Sequence, residues 1–348
     1  MRTLVCAALA AAGLPAAAAA HHSFFGRFDT QRLVELEGDV TDVLWKNPHA
    51  YFTVRADDVA WEIETSSLTV LKRMGIDVGT IRVGDRIRIA ANQPVGDKKE
   101  MYARHALLPD GRELLLNVGL TPRWAERSRA VGDESLLMAR TGDPSRPELG
   151  IFRVWSSTFA NAPVLFTDSF KPGFTVLNYP LTPAARRAVE AFDAVAGSRR
   201  LANNCTPKGM PWIMEQPYDL AFERDGNDIL LKLEEFDVVR RIRLDWQGDR
   251  AAQPFTPHGF STGVWAERTL VVTTTNLNSP NFKFEIPQSN EAEIVERFTA
   301  SADGAKLDYE IVVNDPITFT APVRMAKYWI SLPNQALDAY NCGAPLSR

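Results

Sequence analysis

Residues 218–244 read YDLAFERDGNDILLKLEEFDVVRRIRL. Three short runs rich in apolar and β-branched residues, Tyr218–Arg224, Ile229–Phe236 and Val238–Leu244, are separated by Asp225-Gly226-Asn227 and by Asp237. Alternation with a period of two, broken by turn-forming residues, predicts antiparallel strands rather than helices. The same pattern continues in Gly259–Ala266, Thr269–Thr275, Ala292–Ala300, Lys306–Asn314 and Phe319–Ile330. Trp246-Gln247-Gly248-Asp249, Ala266-Glu267-Arg268 and Ala302-Asp303-Gly304 supply the turns. An earlier strand is expected at Ile151–Ser156. The one clear helix is expected at Pro183–Val195, with Thr182 as N-cap and proline at the first helical position. Residues 151–348 therefore read as a large, lipocalin-like antiparallel curled sheet or barrel, whose interior can hold a small molecule.

Upstream, residues 21–118 read as a second, smaller β domain. Strands are expected at Leu33–Val43, with Gly38 as a bend, at Ala50–Val54 and at Ala60–Thr65 across an Asp57-Asp58 turn. Ser66-Ser67 caps a short helix, Leu68–Met74, that stops at Gly75. Strands Arg86–Ala91 and Met101–Leu108 follow. Three strands, a helix and two strands is the order of a five-stranded OB-like barrel. Residues 119–150, with Pro122, Gly142, Pro144 and Pro147, read as a linker. The chain is thus expected to be mainly β, with two barrels in series.

Residues 1–20 carry Arg2, an apolar run Leu4–Leu14 and the alanines Ala16–Ala20. That is the pattern of a cleaved signal peptide, and the apolar run is shorter than the roughly 20 residues a membrane span needs. No later segment is long and apolar enough to span. A periplasmic or secreted protein is expected, and in such a compartment Cys205 and Cys342 are expected to form a disulfide. Of 348 residues, 39 are Lys or Arg and 43 are Asp or Glu, giving a net charge of -4. The basic residues are scattered, which argues against a nucleic-acid partner.

Three constellations carry candidate chemistry. The first is ligand binding inside the second barrel. Glu235, Arg240, Ser261, Trp265 and Arg297 lie in or beside strands built for burial, with Trp155 and Phe298 as apolar wall. A few charges in an aromatic interior suit a small, partly apolar molecule. The second is metal binding, copper foremost, through His21, His22, His49 and His105. Cleavage after Ala20 would make His21 the first residue, offering amine and ring nitrogen to one ion. The third is a cofactor-free isomerase, lyase or hydrolase that pairs His258 with Glu296 or Asp315. No HExxH, CxxC, P-loop or dinucleotide fingerprint is present in the sequence.

The stretches AHHSFFGRFD (20–29), GDV (38–40) and NPHAYF (47–52) resemble a family of secreted bacterial proteins of unknown function. NNCTPKGMPWIM (203–214), PHGFSTGVWAERTLVVTTTNLN (257–278), EIVERF (293–298) and VNDPITFTAP (313–322) are similar to blocks of a second uncharacterised, β-rich secreted set. The resemblance implies a bacterial envelope protein and no particular activity.

Overall fold

The computed structural model describes residues 27–124, 129–144, 146–159, 175–192, 205–215, 218–283, 285–332 and 335–342. The small barrel is built from β1 (Phe28–Leu44), β2 (Tyr51–Ala56), β3 (Val59–Glu64), helix α1 (Leu68–Arg73), β4 (Arg86–Pro94) and β5 (Glu100–Leu107). The long β1 pairs antiparallel with β2 through its C-terminal half and with β4 through its N-terminal half. β3 then pairs in parallel with β5, which closes the ring β1–β2–β3–β5–β4. This is the OB arrangement that the order of strands and turns predicts. Asp57 and Asp58 both take positive φ (46° and 62°), the backbone of a tight hairpin between β2 and β3. The Ser67 hydroxyl accepts from Val70 N at 3.3 Å to start α1, and Gly75, at φ +79°, follows its C-terminal end.

β1 stays one strand through Gly38, although it must curve to serve two neighbours. A Cβ at Gly38 would stand 2.3 Å from the Arg55 carbonyl oxygen, so the close approach of β2 admits only glycine. Gly38→Ala is expected to cost about 1–3 kcal/mol by overpacking. Urea denaturation should show this as a lower midpoint with an unchanged slope; an unchanged midpoint would mean that β1 and β2 separate freely there.

Two further strands extend the sheet beyond β5: β6 (Arg112–Leu115) and β7 (Arg129–Val131). β7 falls in the stretch read as a linker. Leu137, also in that stretch, is fully buried against Val70, Met74 and Leu115. Residues 119–150 thus contribute packing as well as connection.

The second sheet has nine strands: β8 (Val154–Trp155), β9 (Leu220–Asp225), β10 (Asp228–Leu233), β11 (Val238–Leu244), β12 (Phe260–Ala266), β13 (Thr269–Thr275), β16 (Glu293–Ala300), β17 (Lys306–Asn314) and β18 (Val323–Ile330). Between β13 and β16 lies a separate hairpin, β14 (Asn281–Lys283) with β15 (Ile286–Pro287). Ser156 and Ile330 exchange backbone hydrogen bonds of 2.8 and 3.0 Å, bringing the first and last strands together into a nearly closed barrel. A ring of nine strands cannot be antiparallel throughout, because alternating directions close only on an even number. One parallel pair is therefore required, and it is β11 with β12. This corrects the expectation of a purely antiparallel sheet: residues 245–259 carry the chain back along the barrel instead of making a short turn. Helix α2 (Pro183–Glu190) is shorter than expected and begins at Thr182, whose hydroxyl accepts from Ala185 N at 3.3 Å.

One part of the barrel interior is filled by aromatic rings in contact, two pairs edge-on and one tilted. Phe222–Phe298, Phe298–Tyr309 and Tyr309–Trp329 have centroids 5.1, 4.8 and 5.2 Å apart. With Trp155 fully buried beside them, this region is solid core rather than cavity.

The two barrels meet through α1 and the C-terminal tail. Thr69 donates to Glu234 at 2.6 Å, and Arg73 donates to the Ser157 carbonyl at 3.0 Å while lying 3.4 Å from Asp219. Asn47 donates to the Tyr340 carbonyl at 2.6 Å, and Tyr340 N donates to Asp237 at 3.0 Å. The expected disulfide joins Cys205 and Cys342 and so fixes the end of this tail.

Candidate functional site

Strand alternation decides which polar side chains enter the large barrel. Arg240 lies between Val238 and Ile242, Glu296 between Ile294 and Phe298, and Lys327 between Met325 and Trp329 on the buried face of their strands. Arg240 grips both oxygens of Glu296, at 2.9 Å to Oε1 and 2.5 Å to Oε2. It also donates to Ser261 (3.3 Å) and Thr274 (3.2 Å). The Tyr309 hydroxyl donates to Glu296 Oε1 at 2.9 Å. Burial opposes the charge on Arg240, but the Glu296 carboxylate outweighs it and keeps the guanidinium protonated.

Tyr309 pairs across strands with Lys327, which carries the polar chain to the next strand. Lys327 is 2% exposed. Its ammonium donates to Ser157 Oγ (3.2 Å) and the Met214 carbonyl (3.4 Å) and stands 4.4 Å from the Trp329 ring centre. Burial pushes its pKa down to about 7, against the pull of Glu215 and Glu235.

The Met214 carbonyl belongs to the segment Lys208–Glu215, which lies across this part of the barrel. Lys208 bonds Glu235 at 2.6 Å, Lys283 bonds Glu215 at 2.9 Å, and Gln288 donates to the Met210 carbonyl at 3.0 Å. Gly209 allows the close fit, since a Cβ there would meet Ser279 at 2.3 Å. Burial raises the carboxyls of Glu235 and Glu285 above their ordinary range. Four buried oxygens around the segment receive no hydrogen bond among the described residues: Glu215 Oε2, Glu235 Oε2, Glu285 Oε1 and Gln288 Oε1. All four are acceptors. A buried acceptor without a donor is uncommon in folded proteins and costs about 1–3 kcal/mol.

Of the residues singled out in the sequence, Arg240, Ser261 and Glu296 form one hydrogen-bonded group, and Glu235 joins the neighbouring lysine cluster. Trp265 has the parity of the buried face. It lies at the barrel rim, past the last residue that pairs with β11, and is 41% exposed against Phe152. Arg297 follows Glu296 on the strand and points the opposite way. His258 meets the Lys208 carbonyl at 3.0 Å, and burial lowers its pKa. Asp315 accepts from Ser289, Ile317 and Thr318 and so holds a turn. The hydrogen bonds of Glu296, Asp315 and His258 thus run to three different sets of partners, and none of them links the histidine to either carboxylate.

His49 bonds the Thr65 carbonyl at 2.8 Å and stands 3.3 Å from Glu64, whereas His105 bonds Glu113 at 3.0 Å. His21 and His22 lie outside the described residues. Among the described residues no group of three or more His, Cys, Asp or Glu is disposed to hold a metal ion.

Lys327, Tyr309, Glu215 and Lys208 escaped the sequence reading. Lys327 left a signal, being the charged position in the series Val323, Met325, Lys327, Trp329. Glu215 and Lys208 left none, since they lie on an irregular segment.

A second buried acidic pair lies where the barrels meet. Burial pushes the Asp219 carboxyl up to about 6, with Arg73 and the Ser156 hydroxyl pulling it back. Burial and the neighbouring Asp219 push Glu234 up to about 7, with Thr69 and Arg73 opposing and Asp338 adding to the rise. Both acids hold their protons more tightly folded than unfolded. Their contribution is full below their ordinary values of 3.8 and 4.5 and is lost as pH rises through 6 to 7. Asp219→Asn is therefore expected to flatten the fall of melting temperature between about pH 4 and about pH 7. An unaltered slope would show that Asp219 does not titrate in that window. Lys327 acts with the other sign, its lowered pKa giving stability that is lost as pH falls through about 7.

No helix among the described residues is long and apolar enough to cross a membrane. The chain finds no match among curated proteins. Residues 8–101 match the model of a family of unknown function, DUF6152, in keeping with the resemblance carried by the N-terminal motifs.

Proposed function

We propose that the protein is an exported binding protein for a small, partly apolar molecule, seated between the Lys208–Glu215 segment and the large barrel. The observation that carries this reading is the set of four buried acceptors without donors on Glu215, Glu235, Glu285 and Gln288. A ligand bearing amine, amide or hydroxyl donors satisfies them, and its apolar body rests against Met214 and the neighbouring buried Phe282. The disulfide and the leader-like residues 1–20 support export.

Native mass spectrometry of the protein, purified without denaturation or organic solvent, tests the reading. The wild-type chain is expected to carry an organic adduct of defined mass, lost from the variant with Glu215→Gln and Glu235→Gln. Amide side chains keep the shape but turn two acceptor oxygens into mixed donor–acceptor groups. A bare wild-type mass, or an adduct that survives both substitutions, contradicts the proposal.

A further inference from the structure

An open cleft of about 250 Å³ lies on the other barrel, far along the chain from the site above. It is formed by the outer faces of β1, β2 and β3 and by the connection from β4 to β5. Its walls include Arg27, Asp42, Lys46, Tyr51, Glu62 and Glu100. This is smaller than the roughly 300–1,000 Å³ of pockets for drug-sized ligands, and suits a ligand that inserts about one ring.

The charges in the cleft cancel. Arg27, Lys46 and Lys98 stand against Asp42, Glu62 and Glu100. Three of them, Arg27, Lys98 and Glu100, are already tied into ion pairs. Arg27 is clamped at 2.8 Å to Glu64 and at 2.8 Å to Glu100, and Lys98 lies 3.3 Å from Glu100. A polyanion such as nucleic acid needs a net positive surface and would meet three carboxylates here. A free amino acid or other zwitterion that sought Arg27, Lys98 or Glu100 would have to compete with the pairs they already make.

A neutral ligand leaves these pairs intact and uses what they leave over. That remainder consists of ammonium N–H groups, carboxylate lone pairs, the Arg27 Nε–H, which is buried with no hydrogen-bond partner among the described residues, and the proton of the Tyr51 hydroxyl, whose oxygen interacts with Arg27. Burial and the nearby Glu64 keep that phenol protonated far above its ordinary range, so it remains a donor. A ligand that gives and takes hydrogen bonds around its whole edge matches a wall that alternates donors and acceptors, and hydroxyl groups do both. The site is preorganised as well: Arg27 is 9% exposed and held by two carboxylates, so little side-chain entropy remains to be lost on binding.

We propose that this cleft is a second binding site, for a neutral polyhydroxylated ligand of the oligosaccharide class. Its geometry is independent of the site in the large barrel.

The test is titration calorimetry of the full chain with a panel of neutral trisaccharides, α-linked and β-linked glucans and chitotriose, beside a short oligothymidylate and triglycine. At least one saccharide is expected to bind saturably. Affinity should be nearly constant between about 0.05 and about 0.5 M salt, since no net charge is involved. Tyr51→Phe, which removes one hydroxyl, and Glu62→Gln, which replaces one acceptor oxygen by an amide donor, should each weaken binding about tenfold. Neither should alter the adduct mass ascribed to the large barrel, so the two proposals fail separately. Binding to no saccharide, binding unaffected by both substitutions, or binding confined to the oligothymidylate or the peptide overturns the proposal.

Discussion

Arg240→Leu is expected to lower the stability of the protein by about 3–5 kcal/mol, the range for breaking a buried ion pair from one side. Glu296 is fully buried, and Arg240 supplies bonds to both of its carboxylate oxygens. Without the guanidinium, that carboxylate keeps the Tyr309 hydroxyl as its remaining described donor and must either stay charged in an apolar interior or take up a proton. Ser261 and Thr274 lose a partner too, although they still bond each other at 2.9 Å. The companion double substitution, Arg240→Leu with Glu296→Leu, removes both charges and should recover most of the loss, because a buried pair replaced by apolar residues is often neutral. Urea denaturation of the three proteins decides this. A single variant as stable as wild type would mean that water reaches Glu296, and a double variant worse than the single would mean that the pair holds the barrel in shape beyond its charge.

Loss of the Cys205–Cys342 disulfide is expected to cost about 2–5 kcal/mol. The bond spans a sequence separation of 137 residues, and the entropy of the unfolded chain that such a link removes grows with loop length. Its effect reaches beyond the large barrel. Cys342 forms a backbone bridge with Asn47, and Asn47 also bonds Tyr340 and accepts from Leu68 N at the start of α1. Freeing the tail therefore loosens the seat of the small barrel. A variant with both cysteines changed to serine should melt well below the wild type, and reductant should lower the wild type to the same point. A reductant-insensitive melting temperature in the wild type would show that the tail is held by packing alone.

Much of this fold was legible because local patterns and burial agree. Val238–Leu244, Thr269–Thr275 and Lys306–Asn314 have the bounds that alternation predicts. The OB order follows from two punctuated turns and one capped helix. Features set by closure were not legible. The parallel pairing of β11 with β12 follows from the number of strands in the ring, which no local pattern reports. The strands β6 and β7 are short and gain their place from a neighbouring edge.

The site was legible in part for the same reason. A charge in the buried phase of a strand, as at Arg240 and Glu296, announces an inward polar group, whereas its partner is chosen by register between distant strands. His258 and Glu296 looked equally available to one another in the sequence. The fold instead gives Glu296 to Arg240 and turns His258 to a backbone carbonyl on the Lys208–Glu215 segment.

The central claim is that the acceptors around that segment receive their donors from a bound molecule. A crystal structure of the gently purified protein, at a resolution that separates waters from organic atoms, tests it directly. The expected result is continuous density of several atoms within hydrogen-bond distance of Glu215 Oε2 and Glu235 Oε2. Isolated waters at each of the four acceptors, with no connected density, would contradict it and assign the cluster to hydration of a structural ion network.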